Sequence, residues 1–231
     1  MDTVCTITKD GAPLNYGLLG AKYLSYNYTP SDLDPVTLWA EKSLTPLYFE
    51  TVQKYDRLEL NFVFRGANIA GLSLFAQALS KCTVTLTGAL TAGKVFECIL
   101  RDSELQKAAR NVHTVKYTFD ALTFGSRVTE TVTSSSPGIT VGGAKQTEAV
   151  VTFENKTGSV IQEAAVNEYR VTSLSAGEVF IIDGEKKLVT SGGVNVWKRV
   201  DFINFPRLNA GWNPLTVTGG AAVTVSYRER W

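Results

Sequence analysis

A single histidine, a single methionine and three cysteines among 231 residues leave little from which to build a reaction centre. His113 would have to serve any Ser-His-Asp or Cys-His arrangement, and no GxSxG-type nucleophile motif accompanies it. It shares strand parity with Val115, Tyr117 and Phe119, so it reads as a strand-end histidine satisfied by a backbone carbonyl, and a histidine enzyme is set aside. Cys5, Cys82 and Cys98 are odd in number and lack CxxC or Cys/His spacing. Neither a disulfide framework nor a zinc site is expected from them, and they read as small apolar residues.

Other reaction chemistry is equally thin. Gly17 to Lys22 lacks both the glycine spacing and the Gly-Lys-Ser/Thr ending of a phosphate loop. Ser31-Asp32-Leu33-Asp34 offers too few oxygen ligands for calcium. The best carboxylate pair, Asp183 with Glu185, flanks a turn and reads as a solvated hairpin tip. The expectation is therefore no metal, no cofactor and no enzyme. Asn27-Tyr28-Thr29 and Asn155-Lys156-Thr157 match the glycosylation pattern, but the start MDTVCTITKDG lacks a signal peptide's basic and apolar regions, so cytoplasmic folding is expected.

Charge of one sign is also missing. Lys plus Arg number 23 against 22 Asp plus Glu, and the balance is local: twelve basic and twelve acidic side chains in residues 1–125, eleven and ten in 126–231. A nucleic-acid binder working through a strong basic field is excluded. No apolar run approaches the roughly 18 residues of a membrane span.

What the chain does have is strands. Asp56–Arg65 (DRLELNFVFR) alternates with Leu58, Leu60, Phe62 and Phe64 inward. After it, Asn68 can cap a helix to about Lys81, with Ile69, Leu72, Phe75 or Ala76, and Leu79 on one face. Thr83–Leu90, Lys94–Arg101 and Val112–Phe124 resume as strands. The segment from Lys22 to Tyr55 holds Pro30, Pro35 and Pro46 with Trp39, Tyr48 and Phe49, which excludes a continuous helix and central strands. It reads as an arm or hairpin covered by a neighbouring subunit, or as a loop folded over its own core.

Arg127–Lys145 is rich in Ser, Thr and Gly, and marks a linker over 126–145 between an N-terminal domain, 1–125, and a C-terminal domain, 146–231. In the latter, Val179–Asp183 and Lys187–Thr190 flank Asp183-Gly184-Glu185-Lys186, an Asp-Gly hairpin signal because both residues tolerate positive φ. Ala222–Trp231 places Val223, Val225 and Tyr227 on one face, and Thr224, Ser226, Arg228 and Arg230 on the other. The fold class is mainly β: an N-terminal β-sandwich or split barrel with one packed helix, then a C-terminal β-sandwich. Trp197 and Trp212 are the candidate ligand residues, as a sugar-stacking platform or as contacts to a partner protein.

The C-terminal stretch Asp201-Phe-Ile-Asn-Phe-Pro-Arg-Leu-Asn-Ala-Gly-Trp-Asn213, followed by Val223-Thr-Val-Ser-Tyr-Arg-Glu-Arg-Trp231, resembles the "F-P-x-L-x-x-G-x-N … Y-R-x-R-W" ending of the distal tail protein (Dit) family of long-tailed bacteriophages. Asn15-Tyr16-Gly17-Leu18, the Arg57–Gly66 strand and the helix after it agree more loosely. The resemblance implies a virion tail protein assembled in the bacterial cytoplasm, with a galectin-like C-terminal sandwich. It further implies a homohexameric ring, single or stacked, joining the tail tube protein to tail-tip, lysin or fibre proteins. DNA would pass through the ring without specific binding, and no membrane is involved. Trp39, Tyr48 and Phe49 are the candidate subunit-interface residues. The competing readings are a carbohydrate-recognition or host-adhesion module and a major tail tube subunit.

Overall fold

The computed structural model describes residues 4–31, 33–38, 47–53, 55–66, 69–88, 91–109, 111–136 and 138–231. The chain divides into two compact units, Met1–Phe124 and Gly125–Trp231.

In the first unit the alternation of Asp56–Arg65 sets the core. Leu58, Leu60, Phe62 and Phe64 are fully buried, and the register partners Phe119, Tyr117 and Val115 on the Val112–Val132 strand share that face. The antiparallel sheet runs Ala21–Thr29, Asp56–Arg65, the first part of Val112–Val132, Val95–Ala109, Lys81–Leu86, Cys5–Lys9 and Ala12–Pro13. The helix Ile69–Leu79 lies on its apolar face, as expected from its Leu- and Ala-rich sequence with residues recurring one turn apart. Phe75 meets Phe62, Phe64 and Tyr117 edge-on at ring-centroid distances of 5.1, 5.2 and 5.3 Å. The helix ends at Leu79, short of the expected Lys81, because the alternation of Cys82, Val84 and Leu86 makes Lys81 the first residue of a strand.

The segment from Lys22 to Tyr55 resolves into two strand pairings. Ala21–Thr29 joins the sheet edge against Asp56–Arg65, while Leu33–Leu38 and Leu47–Gln53 pair with one another as a two-stranded ribbon. The buried carboxylate of Asp56 fastens the root of this ribbon. It accepts hydrogen bonds from Ser31 N at 2.9 Å, Tyr28 OH at 3.2 Å and Thr123 Oγ1 at 2.5 Å. Satisfying a charged group three ways is what makes its burial tolerable.

The second unit is a β-sandwich. One sheet runs from residues 125–132 through Ala222–Arg230, Thr147–Glu154, Val179–Asp183 and Leu188–Ser191 to Val194–Asn195; the other orders Val200–Asp201, Tyr169–Leu174, Ile161–Val166 and Val217–Thr218. Phe153, Phe180, Ile182, Val223 and Val225 from the first interdigitate with Ala164, Val166, Val171 and Leu174 from the second. The stretch 126–145, expected as a linker, is instead largely strand: Val132 ends the long strand, Gly138–Val141 forms another, and Val132, Ile139 and Val141 are buried in this core. Its Ser and Thr residues occupy outward positions, where Thr129 Oγ1 donates to Ser226 Oγ at 3.0 Å.

The Asp-Gly hairpin forms for a different reason than the one expected. Gly184 is not left-handed; Lys187 takes that conformation, with φ 57°. Glycine is needed at 184 because the chain passes between two backbone segments, where a Cβ would lie 2.5 Å from both the Ala149 and Pro206 carbonyl oxygens. Nor is Glu185 a solvated tip. Arg127 donates two hydrogen bonds to its carboxylate at 2.8 and 2.6 Å, and Arg228 Nε approaches to 3.6 Å.

Candidate functional site

Trp197 opens a short 3₁₀ turn, Trp197–Arg199, entered through Asn195, whose Oδ1 accepts Trp197 N–H at 3.2 Å. Arg199 fixes this turn from beneath. Its guanidinium donates to both oxygens of Glu178 at 2.6 and 2.9 Å and to the carbonyls of Thr172 and Ser173, and it lies 5.4 Å from the centroid of the Phe180 ring. Ser191 Oγ adds a 2.5 Å bond to the same carboxylate. The Arg199 guanidinium holds the Glu178 carboxyl at a pKa of about 2, against the opposing effect of burial. Nothing local in the sequence signals this pair, since the two residues come from distant turns.

On this base the ring of Trp197 packs against Phe202 at 5.6 Å and Phe205 at 5.3 Å; Phe202 in turn meets Phe205 at 5.3 Å and Tyr169 at 5.8 Å. Lys187 Nζ stands 5.4 Å from the Phe205 centroid. Between Phe202 and Phe205 in the chain, Ile203 is 88% exposed, while Trp197 itself is 42% exposed. The result is a rigid apolar and aromatic patch on the loop that carries the D-F-I-N-F-P sequence. Phe202 and Phe205 were legible only as part of that motif, and their gathering around Trp197 follows from the Arg199 anchor.

Trp212 belongs to a different place. It is 55% exposed and lies over Gly138, so closely that a Cβ there would sit 2.8 Å from its Cζ2. Its ring shields the backbone of the Gly138–Val141 strand, to which Gly211–Pro214 is paired. Among the described residues no ring contact joins Trp212 to Trp197. Of the remaining candidates, Trp39 lies outside the described residues, and Tyr48 and Phe49 occupy the second strand of the two-stranded ribbon.

The motif residues themselves hold the fold together. Pro206 presents its carbonyl to Ala149 N–H at 3.0 Å, and Leu208 is buried in the sandwich core. Asn213 closes the turn before it, donating to Asn209 O and Gly211 O at 2.8 and 3.0 Å while accepting Asn209 N–H at 2.8 Å. Tyr227 is buried with its hydroxyl donating to Glu130 at 2.9 Å, and Arg230 O accepts Ala144 N–H and Lys145 N–H at 2.9 and 3.1 Å. A cavity of about 350 Å³ near Tyr169 and Arg207 has an apolar floor that includes Val151, Val166 and Val225. Its two asparagines are engaged by the fold, Asn213 as above and Asn167 through Pro214 O at 3.1 Å and Thr216 N–H at 2.8 Å.

His113, expected to find a carbonyl, is half-buried, and its Nδ1 has no hydrogen-bond partner among the described residues. No GxSxG element accompanies it in the sequence.

Residues 133–231 match the family described as siphovirus-type tail component, C-terminal domain. In fold, the chain is similar over 99% of its length to 99% of the crystal structure of SPP1 Dit, described as a paradigm of the hub adsorption apparatus in phages infecting Gram-positive bacteria, with TM-score 0.72 and 13% identity. Two structures of the phage p2 baseplate in its activated conformation contain similar chains. The strontium form has TM-score 0.53 and 8% identity over 98% of both chains; the calcium form has TM-score 0.55 and 8% identity over 100% of this chain and 99% of that one. No curated protein sequence matches significantly. Residues 133–231 thus match a siphovirus-type tail component C-terminal domain, and the chain as a whole has the fold seen in SPP1 Dit.

Proposed function

We propose that six copies of this chain associate through their N-terminal units into a ring, single or stacked, that joins the tail tube to the tip and leaves a channel for DNA. The observation that carries this reading is the ribbon Leu33–Leu38 with Leu47–Gln53. Its two strands pair only with one another among the described residues, and its sequence contributes Leu33, Val36, Leu38, Leu47, Tyr48 and Phe49. A two-stranded hairpin is marginal in water on its own, and an apolar one calls for cover. A neighbouring copy supplies that cover in a ring, where Trp39, Tyr48 and Phe49 form the contact.

The charge balance supports a conduit that does not retain DNA, because held phosphates would have to be released again. The first unit's sheet carries charges that answer one another within the chain: Arg57 with Glu59 at 2.9 Å, Arg101 with Asp120 at 3.2 Å and Lys116 with Glu104 at 2.7 Å. The work of such a protein is geometric, and no catalytic step is assigned to it. Light scattering coupled to size-exclusion chromatography tests the reading. A mass six or twelve times that of the chain is expected, and a monomer at every concentration would overturn it; filaments under the electron microscope would instead favour a tube subunit.

The Trp197 patch fits a protein contact to a tail-tip or fibre component better than it fits a sugar. Phe202 and Phe205 pack against the Trp197 ring, and the exposed Ile203 between them in the chain is apolar, whereas sugar stacking requires a free ring face bordered by polar groups. A glycan array is expected to stay silent, and binding lost in Trp197→Ala would restore the carbohydrate reading.

A further inference from the structure

Cys82 and Cys98 are direct register partners on the adjacent antiparallel strands Lys81–Leu86 and Val95–Ala109. Register partners project to the same side of a sheet, and here both residues are buried in the core. Directly opposed residues of an antiparallel pair have Cα atoms about 4.5–5.5 Å apart, within the roughly 4.4–6.8 Å that a disulfide spans. The Cys98 thiol donates only a long hydrogen bond, to Phe96 O at 3.5 Å. From these observations we infer that Cys82 and Cys98 form a reversible cross-strand disulfide, reduced during assembly and closed by a peroxide-class oxidant once the virion leaves the cell.

The third cysteine does not compete on equal terms. Cys5 stands opposite Leu86, and burial pushes its thiol up to about 12, so it stays protonated. Cys82 is the attacking sulfur: the adjoining Cys98 side chain lowers its pKa, and nearby Lys9 acts in the same direction. Its thiolate attacks one peroxide oxygen, forming a sulfenic acid and releasing hydroxide, which is protonated to water. The Cys98 sulfur then displaces the sulfenic oxygen as a second water, leaving the sulfur–sulfur bond. Two thiols are oxidised by one peroxide, which is reduced to two waters. Disulfides persist on virion surfaces and in other oxidising settings but not in a reducing cytoplasm, so the inference rests on the tail location and not on the ring.

The test is to purify the chain reduced, expose it to hydrogen peroxide, and titrate thiols after denaturation. The three thiols of the reduced chain are expected to fall to one, with dithiothreitol restoring them, and peptide mapping is expected to join the Cys82 and Cys98 peptides. Cys5→Ala should still lose two thiols, which guards against Cys82 or Cys98 variants that fail to fold. Retention of all three thiols, over-oxidation of one cysteine without a cross-link, or a bridge involving Cys5 or a second chain would each overturn the inference. A monomeric chain that nonetheless closes the bridge would reject the ring while leaving this inference standing.

Discussion

Asn155 shows how a surface-looking pattern can be an interior device. Its side chain is fully buried, donating to the carbonyls of Ser159 and Leu174 at 2.9 Å each and accepting from Thr157 N–H at 2.9 Å and Thr157 Oγ1 at 2.7 Å. The Asn-x-Thr spacing that reads as a glycosylation site is the spacing of a turn in which Asn holds the backbone two residues on. Asn155→Ala strands several buried polar groups, so a loss of about 2–3 kcal/mol is expected in urea denaturation. Glu178 makes a pH prediction. Its folded pKa of about 2 lies below the ordinary 4.5, so its contribution is fully present above pH 4.5 and is lost as pH falls toward 2. Glu178→Gln is expected to flatten the stability profile over that window, measured by thermal melts against pH; an unchanged profile would contradict the assignment. The Glu178 partnership was not legible in sequence, because it depends on residues brought together from separate turns.

At the scale of elements, alternation was readable wherever one strand face is buried. Asp56–Arg65 and Ala222–Arg230 follow it residue by residue, with Val223, Val225 and Tyr227 buried as expected and the opposite face half-buried instead of fully wet. It failed over 126–145, where Ser, Thr and Gly conceal strands whose inward residues are few and spaced by turns. β-Branched Thr is a good strand residue, so polar composition alone does not mark a linker. The hairpin after Asp183 was placed correctly but explained wrongly, since only the folded chain shows what approaches Gly184. Gly184→Ala must push apart the Ala149 and Pro206 backbones, and a loss of about 1–3 kcal/mol is expected. A wild-type melting temperature in that variant would show that the approach is slack.

At the scale of the whole molecule, the candidate site was legible in kind more than in place. Trp197 could be picked out as an exposed aromatic, but its setting among Phe202, Phe205 and Ile203 depends on the Glu178–Arg199 anchor. A hairpin is one of two readings that the sequence leaves open for the segment from Lys22 to Tyr55, the other being a loop folded over its own core; its prolines speak only against a continuous helix and central strands. Replacing Tyr48 and Phe49 together by Asp places charge where a neighbouring copy is expected to pack. The variant should fold, judged by an unchanged circular dichroism spectrum, and remain monomeric where the parent chain assembles. Negative-stain electron microscopy of the purified parent chain addresses the central claim most directly: closed rings with six-fold symmetry and an open centre are expected, and fields of single particles or open filaments at every concentration would contradict it.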